Sequence, residues 1–341
     1  MSGYCRSTVG MAAGLLSLVL ICAGPAVVAQ ERPQTHLLVI TGVGGEDYYG
    51  DLFHRWAATL TQVATEHLGF AREHVVYLGE RMDRAPGVIA GVSDKATVLA
   101  AVERIAARSR PGDRVMIVLI GHGTARGDRV LFNVPGPDLS AKELADALGR
   151  LSDRTLAVVN TTPSSGAFVQ YLSAPNRVVI AATSGGAENQ HTLFAAHFVD
   201  AFAEPGADAD KDERVSLLEA FDYARREVDR AYRLDHRLLS EHAQLDDNGD
   251  GIGSREPGAA AADGSLAGRF YLAAADTGDP STAQGRASLA LQVEARRLVD
   301  RIEGLKRRKL GLAQSDYETR LEALLVELAL NRRAHRQGRL P

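Results

Sequence analysis

The sequence predicts an α/β fold, a mostly parallel sheet with helices on both faces, followed by a C-terminal α-helical hairpin. Three observations carry this. Short apolar runs rich in Val, Ile and Leu recur between residues 36 and 183. Uninterrupted runs of that kind mark strands buried on both faces. They alternate with longer segments of helical periodicity, the pattern of parallel crossover units. Beyond residue 285 the period changes, and two amphipathic stretches flank Gly311.

Taken in order, His36–Thr41 (HLLVIT) is the first strand, closed by Gly42 and a glycine-rich loop. A helix is expected from Tyr49 to Leu68, then a short strand at Val75–Leu78 (VVYL). Ser93 is the expected N-cap of a helix reaching Arg108, because a hydroxyl there accepts an otherwise unpaired amide. The turn Pro111-Gly112-Asp113 leads into Arg114–Ile120 (RVMIVLI). Ser140 is expected to cap a helix to Leu151, and Thr155–Asn160 (TLAVVN) is the fourth strand. A helix begins at Gly166, and Arg177–Thr183 (RVVIAAT) is the fifth strand. Further helices are expected over 192–204 and 216–233. Residues 258–285 are loose in composition, with a strand-like island at Arg269–Ala273. Leu291, Ala295, Leu298, Ile302 and Leu305 form one helical stripe, and Tyr317, Leu321, Leu324 and Leu328 a second. Ser315 and Glu318 have the spacing of a capping box for the second helix. An antiparallel hairpin of this kind packs back on the domain or self-associates.

The first 29 residues have the pattern of a cleaved signal peptide: Arg6, an apolar run, and small residues Val27 and Ala29 before Gln30. The expectation is an exported, periplasmic or secreted protein with no stable membrane insertion after processing. The expected organisation is 1–29 signal, 30–257 α/β domain, 258–285 last strand and linker, and 286–337 helical hairpin. Both cysteines, Cys5 and Cys22, fall inside the signal. The processed chain therefore has no disulfide and no thiol chemistry. Without residues 1–29 there are 38 bases against 43 acids. That balance offers no electrostatic footprint for nucleic acid.

In a parallel sheet, sites form beyond the carboxyl ends of the strands. The loops to watch are 41–45, 121–124, 160–166 and 183–189, all on one edge. The loop Gly42-Val43-Gly44-Gly45 lacks the third glycine and the lysine of the phosphate-binding motifs. His122 lies between Gly121 and Gly123 at the end of a central strand. Forty residues later comes the small-residue turn Asn160-Thr161-Thr162-Pro163-Ser164-Ser165-Gly166.

The order and spacing of VMIVLIGHG and LAVVNTTPSSGAF, with HLLVITGVGG before and RVVIAATSGGAENQ after, resemble the legumain-type cysteine peptidases, relatives of the caspases. The resemblance covers roughly residues 36–235 and implies a caspase-like sheet. It implies His122 as base, Gly123 as oxyanion donor and Thr162 at the nucleophile position. Thr162 is the departure: a β-branched hydroxyl stands where a thiol, ionised near neutrality, is needed. Pro163 also removes an amide from the turn. The expectation is a catalytically degenerate peptidase fold that binds a peptide or protein partner at the old cleft. The alternative is a hydrolase using a hydroxyl of Thr162, Ser164 or Ser165 with His122.

Asp208, Asp210, Asp212, Ser216 and Glu219 have the spacing of a calcium loop, with Glu213 where the sharp turn prefers Gly. The same residues also suit an acidic loop capped by Ser216. Asp246, Asn248 and Asp250 form a second half-match, with Pro257 where the last carboxylate should be. A third functional class follows from these loops, a calcium-stabilised envelope scaffold acting through its helical hairpin.

Overall fold

The apolar runs do assemble into one sheet. The computed structural model describes residue 3, residues 33–210, 214–258 and 261–272, and most of 290–336. Residues Met1–Arg32 form a unit separate from Pro33–Pro341. Apart from residue 3, the expected signal segment lies outside the described residues. In chain order the strands are β1 (Thr35–Thr41), β2 (Val75–Gly79), β3 (Gly91–Val92), β4 (Arg114–Ile120), β5 (Gly123–Arg126), β6 (Arg129–Phe132), β7 (Leu139–Ser140), β8 (Thr155–Asn160), β9 (Arg177–Ala181) and β10 (Gln244–Asp246). The helices are α1 (Asp47–Glu66), α2 (Lys95–Arg108), α3 (Ala141–Leu148), α4 (Val169–Leu172), α5 (Phe194–Ala203), α6 (Leu217–Leu234), the helical residues described within 290–306 (α7), and α8 (Gln314–Arg336).

Seven strands lie in the order β10-β9-β8-β4-β1-β2-β3. All pairings are parallel except β10 on β9. Side chains alternate between two cores. Leu37, Val39, Met116, Val118 and Val159 face α1, α5 and α6. Leu38, Ile40, Val115, Ile117 and Val158 face α2, α3 and α4. Each such aliphatic side chain removed from water contributes about 1.5–3 kcal/mol, so β1, β4 and β8 make a stiff platform. Their carboxyl ends all open on one edge, as the alternation predicts.

Several expectations need correction. Asp94, not Ser93, is the N-cap of α2, accepting from the Thr97 amide at 2.9 Å. Ser93 is buried and donates to the Thr41 carbonyl at 2.6 Å, tying β1 to the α2 approach. The helix expected from Gly166 starts as a 3-10 turn over Ser165–Phe168 before α4. The strand-like island at 269–273 is a 3-10 turn, Ala267–Arg269, followed by an isolated bridge from Tyr271 to Ser216. Residues 273–289 lie outside the described residues. Ser315 and Glu318 form no capping box, because α8 already begins at Gln314 and the Ser315 carbonyl accepts from Thr319. The antiparallel sheet β5-β6-β7 and the edge strand β10 went unread in the sequence. Ser140 does cap α3 in a reciprocal box with Glu143.

The C-terminal stripes do meet. Leu298, Ile302 and Leu305 of α7 pack on Tyr317, Leu324 and Leu328 of α8. Arg301 donates to Glu327 across the pair at 3.2 Å. Among the described residues no helix is long and apolar enough to cross a membrane.

Candidate functional site

The site is built where β4 and β8 end side by side. Gly121 follows β4, and His122 leads into β5. Its Nε2 lies 3.2 Å from the Gly44 carbonyl. A carbonyl only accepts, so this bond assigns the proton to Nε2 and leaves Nδ1 as the basic nitrogen. The ring packs edge-on against Tyr49 and Phe53 of α1, with centroids 5.1 Å and 5.2 Å away. Tyr49 also touches His191 at 5.0 Å, and Trp56 stacks on His191 at 6.3 Å. Burial, and then the neighbouring His122, lowers the His191 pKa below its ordinary value. His191 is therefore neutral near pH 7.

The β8 end is built differently. Thr161 donates from Oγ1 to the Leu119 carbonyl at 2.8 Å, locking the turn to β4. Thr162 is fully buried, at 0% exposure. Its Oγ1 lies 2.8 Å from Asn160 Oδ1 and 3.1 Å from the Pro163 carbonyl, and its amide donates to the same Asn160 oxygen at 3.1 Å. The Thr162 hydroxyl proton and amide are thus both committed inside the turn. The Asn160 amide nitrogen is buried and has no protein partner. Gly123 stands directly against Thr162: a β-carbon at 123 would lie 2.5 Å from Thr162 Oγ1. The structure therefore joins Gly123 to Thr162, while the His122 ring turns toward Gly44 and α1.

Ser164 and Ser165 are equally buried, at 1% and 0% exposure. Ser164 has φ 59°, donates from Oγ to the Gly186 carbonyl at 3.0 Å, and gives its amide to the Glu188 carbonyl at 2.8 Å. Ser165 Oγ lies 3.2 Å from Thr183 Oγ1 and accepts the Thr183 amide. Both hydroxyls fasten the turn to the loop after β9, and neither bonds to His122.

Two carboxylates behind the turn were not legible in the sequence. Glu188 accepts from Ser184, from the His242 amide and, at 2.6 Å, from His242 Nδ1. Burial works against its charge, but these bonds hold its pKa below the usual carboxylate value. Glu241 is 4% exposed and accepts the Leu193 and Phe194 amides, each at 2.8 Å, so it caps the start of α5. Burial raises its pKa to about 7 despite those bonds. Thr192, beside that cap, donates to the Thr161 carbonyl at 2.6 Å.

Of the expected calcium ligands, Asp208, Asp210 and Glu219 have carboxylate oxygens within 4.8 Å of one another. Asp212 and Glu213 lie outside the described residues. Ser216 caps α6 in a reciprocal box with Glu219. Glu219 also accepts the Ala209 and Asp210 amides, and Arg332 of α8 donates to the Asp210 carbonyl at 2.7 Å. In the second acidic loop Asp246 accepts from Gly249, while Asp247 accepts the amides of 264, 266 and 267. There the carboxylates organise backbone.

Comparison with known families matches residues 77–244 to the Peptidase C13 family. That segment contains His122, Thr162 and the network behind them. Comparison with curated proteins gave no match. Among solved structures, the chain is similar to protein GSU0716 from Geobacter sulfurreducens, with 14% identity, 63% of this chain and 93% of that chain covered, and a TM-score of 0.39. It is also similar to drICE, with 10% identity, 64% and 89% coverage, and a TM-score of 0.37.

Proposed function

With residues 77–244 a Peptidase C13 family segment, we propose that this chain is a peptidase-fold protein without peptidase chemistry, which binds a peptide or protein partner beside His122. The observation that carries the reading is the state of Thr162. It occupies the nucleophile position with no exposed surface, and its hydroxyl is held at 2.8 Å by Asn160. A nucleophile must present its oxygen to a substrate carbonyl and give its proton to a base. Thr162 does neither.

The His122 side keeps the character of a binding surface. Tyr49, Trp56 and His191 gather around the half-buried ring, and Tyr48 beside them is 67% exposed. Aromatic side chains with a polar tip suit peptide recognition. Trp56 is the only tryptophan in the chain, so its fluorescence reports this surface directly.

Two measurements test the reading. The full chain is assayed on peptide and ester panels; turnover lost in both His122→Ala and one of Thr162→Ala, Ser164→Ala or Ser165→Ala overturns it. Peptide libraries are then titrated against Trp56 emission, where saturable quenching is expected from a subset of sequences. Quenching by none removes the partner-binding half.

A second reading has its own support. The convergence of Asp208, Asp210 and Glu219 suits a hard cation, and we propose that calcium adds to the bonds ordering this loop. Millimolar calcium should then raise the melting temperature of the full chain but not of Asp208→Asn. Equal melting curves with and without calcium sink this reading alone.

A further inference from the structure

Away from His122 and Thr162, a cavity of about 600 Å³ lies between α6, the start of α5 and the segments flanking β10. That volume is in the range of small-molecule sites. Its apolar wall includes Phe194, Val228 and Leu239. Phe194 and Val228 are fixed in the core, at 0% and 3% exposure.

The cavity is also lined by three arginines, Arg225, Arg226 and Arg255. Of the acids that share the wall, Asp229 is paired with Arg233 at 2.6 Å. Glu241 has both oxygens on the Leu193 and Phe194 amides. Glu256 is exposed on the loop beside Arg255. Arg225 reaches Asp222 only at 3.6 Å, and its side chain keeps 39% of its surface open to a further acceptor. The planar guanidinium fork matches a carboxylate.

We propose that this cavity binds a monocarboxylate carried on a branched apolar group, with the carboxylate on Arg225 and Arg255 and the apolar group against Leu239. The ligand is a peptide C-terminus ending in an apolar residue or a free branched-chain acid; both present the same chemistry. The cavity contains neither His122 nor Thr162, although Glu241 and His242 on its wall belong to the network behind the β8 turn.

The test is calorimetric titration of the full chain with N-acetyl-leucine, N-acetyl-leucinamide and 4-methylpentanoate. N-acetyl-leucine should bind with a dissociation constant in roughly the millimolar range or below, and the amide about tenfold more weakly. Arg255→Gln, at an exposed position, should weaken the acid about tenfold and leave the amide unchanged, while the melting temperature stays constant. Arg301→Gln on the helical hairpin serves as a charge-matched control and should change nothing. If 4-methylpentanoate matches N-acetyl-leucine, the free acid is the ligand source; if it binds more weakly, the peptide terminus is. Equal binding of acid and amide, no binding of the acid up to about 20 mM (a free energy under about 2.3 kcal/mol), or equal losses in the Arg255 and Arg301 variants would overturn the assignment.

Discussion

His122 and Thr162 stand at the ends of neighbouring strands, yet their surroundings differ in kind. On the β4 side the backbone is fixed, the His122 carbonyl accepting the Asn133 amide at 3.0 Å, but the ring is half-buried, makes one bond at 3.2 Å to Gly44 and otherwise touches aromatic rings. The β8 side is part of the core. Every hydroxyl of Thr161, Thr162, Ser164 and Ser165 is buried and bonded, and Thr192 and the Glu188 carbonyl tie the turn to the segments behind it. A cleft that performs acyl transfer needs both sides reachable by one substrate. Here one side is a half-open ring among aromatic side chains, and the other is buried and hydrogen-bonded within the turn.

The most severe way to break this contrast is to add one carbon to the β8 side. A β-carbon at Gly166 would lie 2.4 Å from the Gly185 nitrogen and the Ser184 carbonyl carbon, both backbone atoms. Gly166→Ala should therefore reach the upper end of the ~1–3 kcal/mol that overpacking costs, or exceed it. Gly185→Ala, which meets nothing within 4 Å, should change little. Urea denaturation of the pair decides it, and similar midpoints would mean that the turn yields.

Titration separates the sides by sign. Glu241, behind the turn, has its pKa raised from 4.5 to about 7. Its contribution is complete below the unfolded value near 4.5 and is lost as pH rises through 7. The linkage is worth up to roughly 3 kcal/mol. His191, on the other side, has its pKa lowered. Its contribution is present above the unfolded value of 6.5 and fades as pH falls through the folded value. Melting temperature measured from pH 4.5 to 8 should fall less steeply with rising pH in Glu241→Gln than in the parent. His191→Gln should remove a loss on the acid side. An unchanged alkaline slope in Glu241→Gln would mean that this carboxyl is ionised throughout.

The difference between the sides also explains what the sequence could reveal. RVMIVLI and TLAVVN are legible because strands buried on both faces need unbroken apolar runs. His122, Gly123 and Thr162 are legible because strand ends place them. β5 is not, because Gly123-Thr-Ala-Arg126 alternates between buried and open positions in a short antiparallel sheet. The bracing residues are hidden for another reason. Glu188 and His242 meet across 54 positions and Glu241 meets Phe194 across 47, through contacts that no local period encodes. His191 lies two residues past the loop 183–189 singled out in the sequence. Its partners, Tyr49 and Trp56, come from α1, where their spacing suits core packing equally well.

Smaller effects sharpen the contrast. Thr162→Ala removes the 2.8 Å bond to Asn160 but leaves the amide bond to the same oxygen in place. The cost should be about 1–2 kcal/mol, from one buried bond and its methyl-sized gap. Thr162→Ser keeps the hydroxyl and should recover the bond's share of that loss. Equal losses in the two variants would assign the effect to packing.

The smallest expected stability effect belongs to His122, and it is informative because it is small. The ring is half-open and makes one long bond to a carbonyl, and that carbonyl can turn to water when the imidazole is gone. His122→Ala should therefore cost no more than about 0.5–1 kcal/mol. It should nevertheless alter the emission of Trp56, which connects to His122 through His191 and Tyr49. It should also weaken any peptide that quenches Trp56. A large stability loss would place His122 in the core alongside the β8 turn. An unchanged peptide affinity would move the binding surface elsewhere on the molecule, because among the described residues the aromatic cluster that frames this edge is the one His122 helps to build.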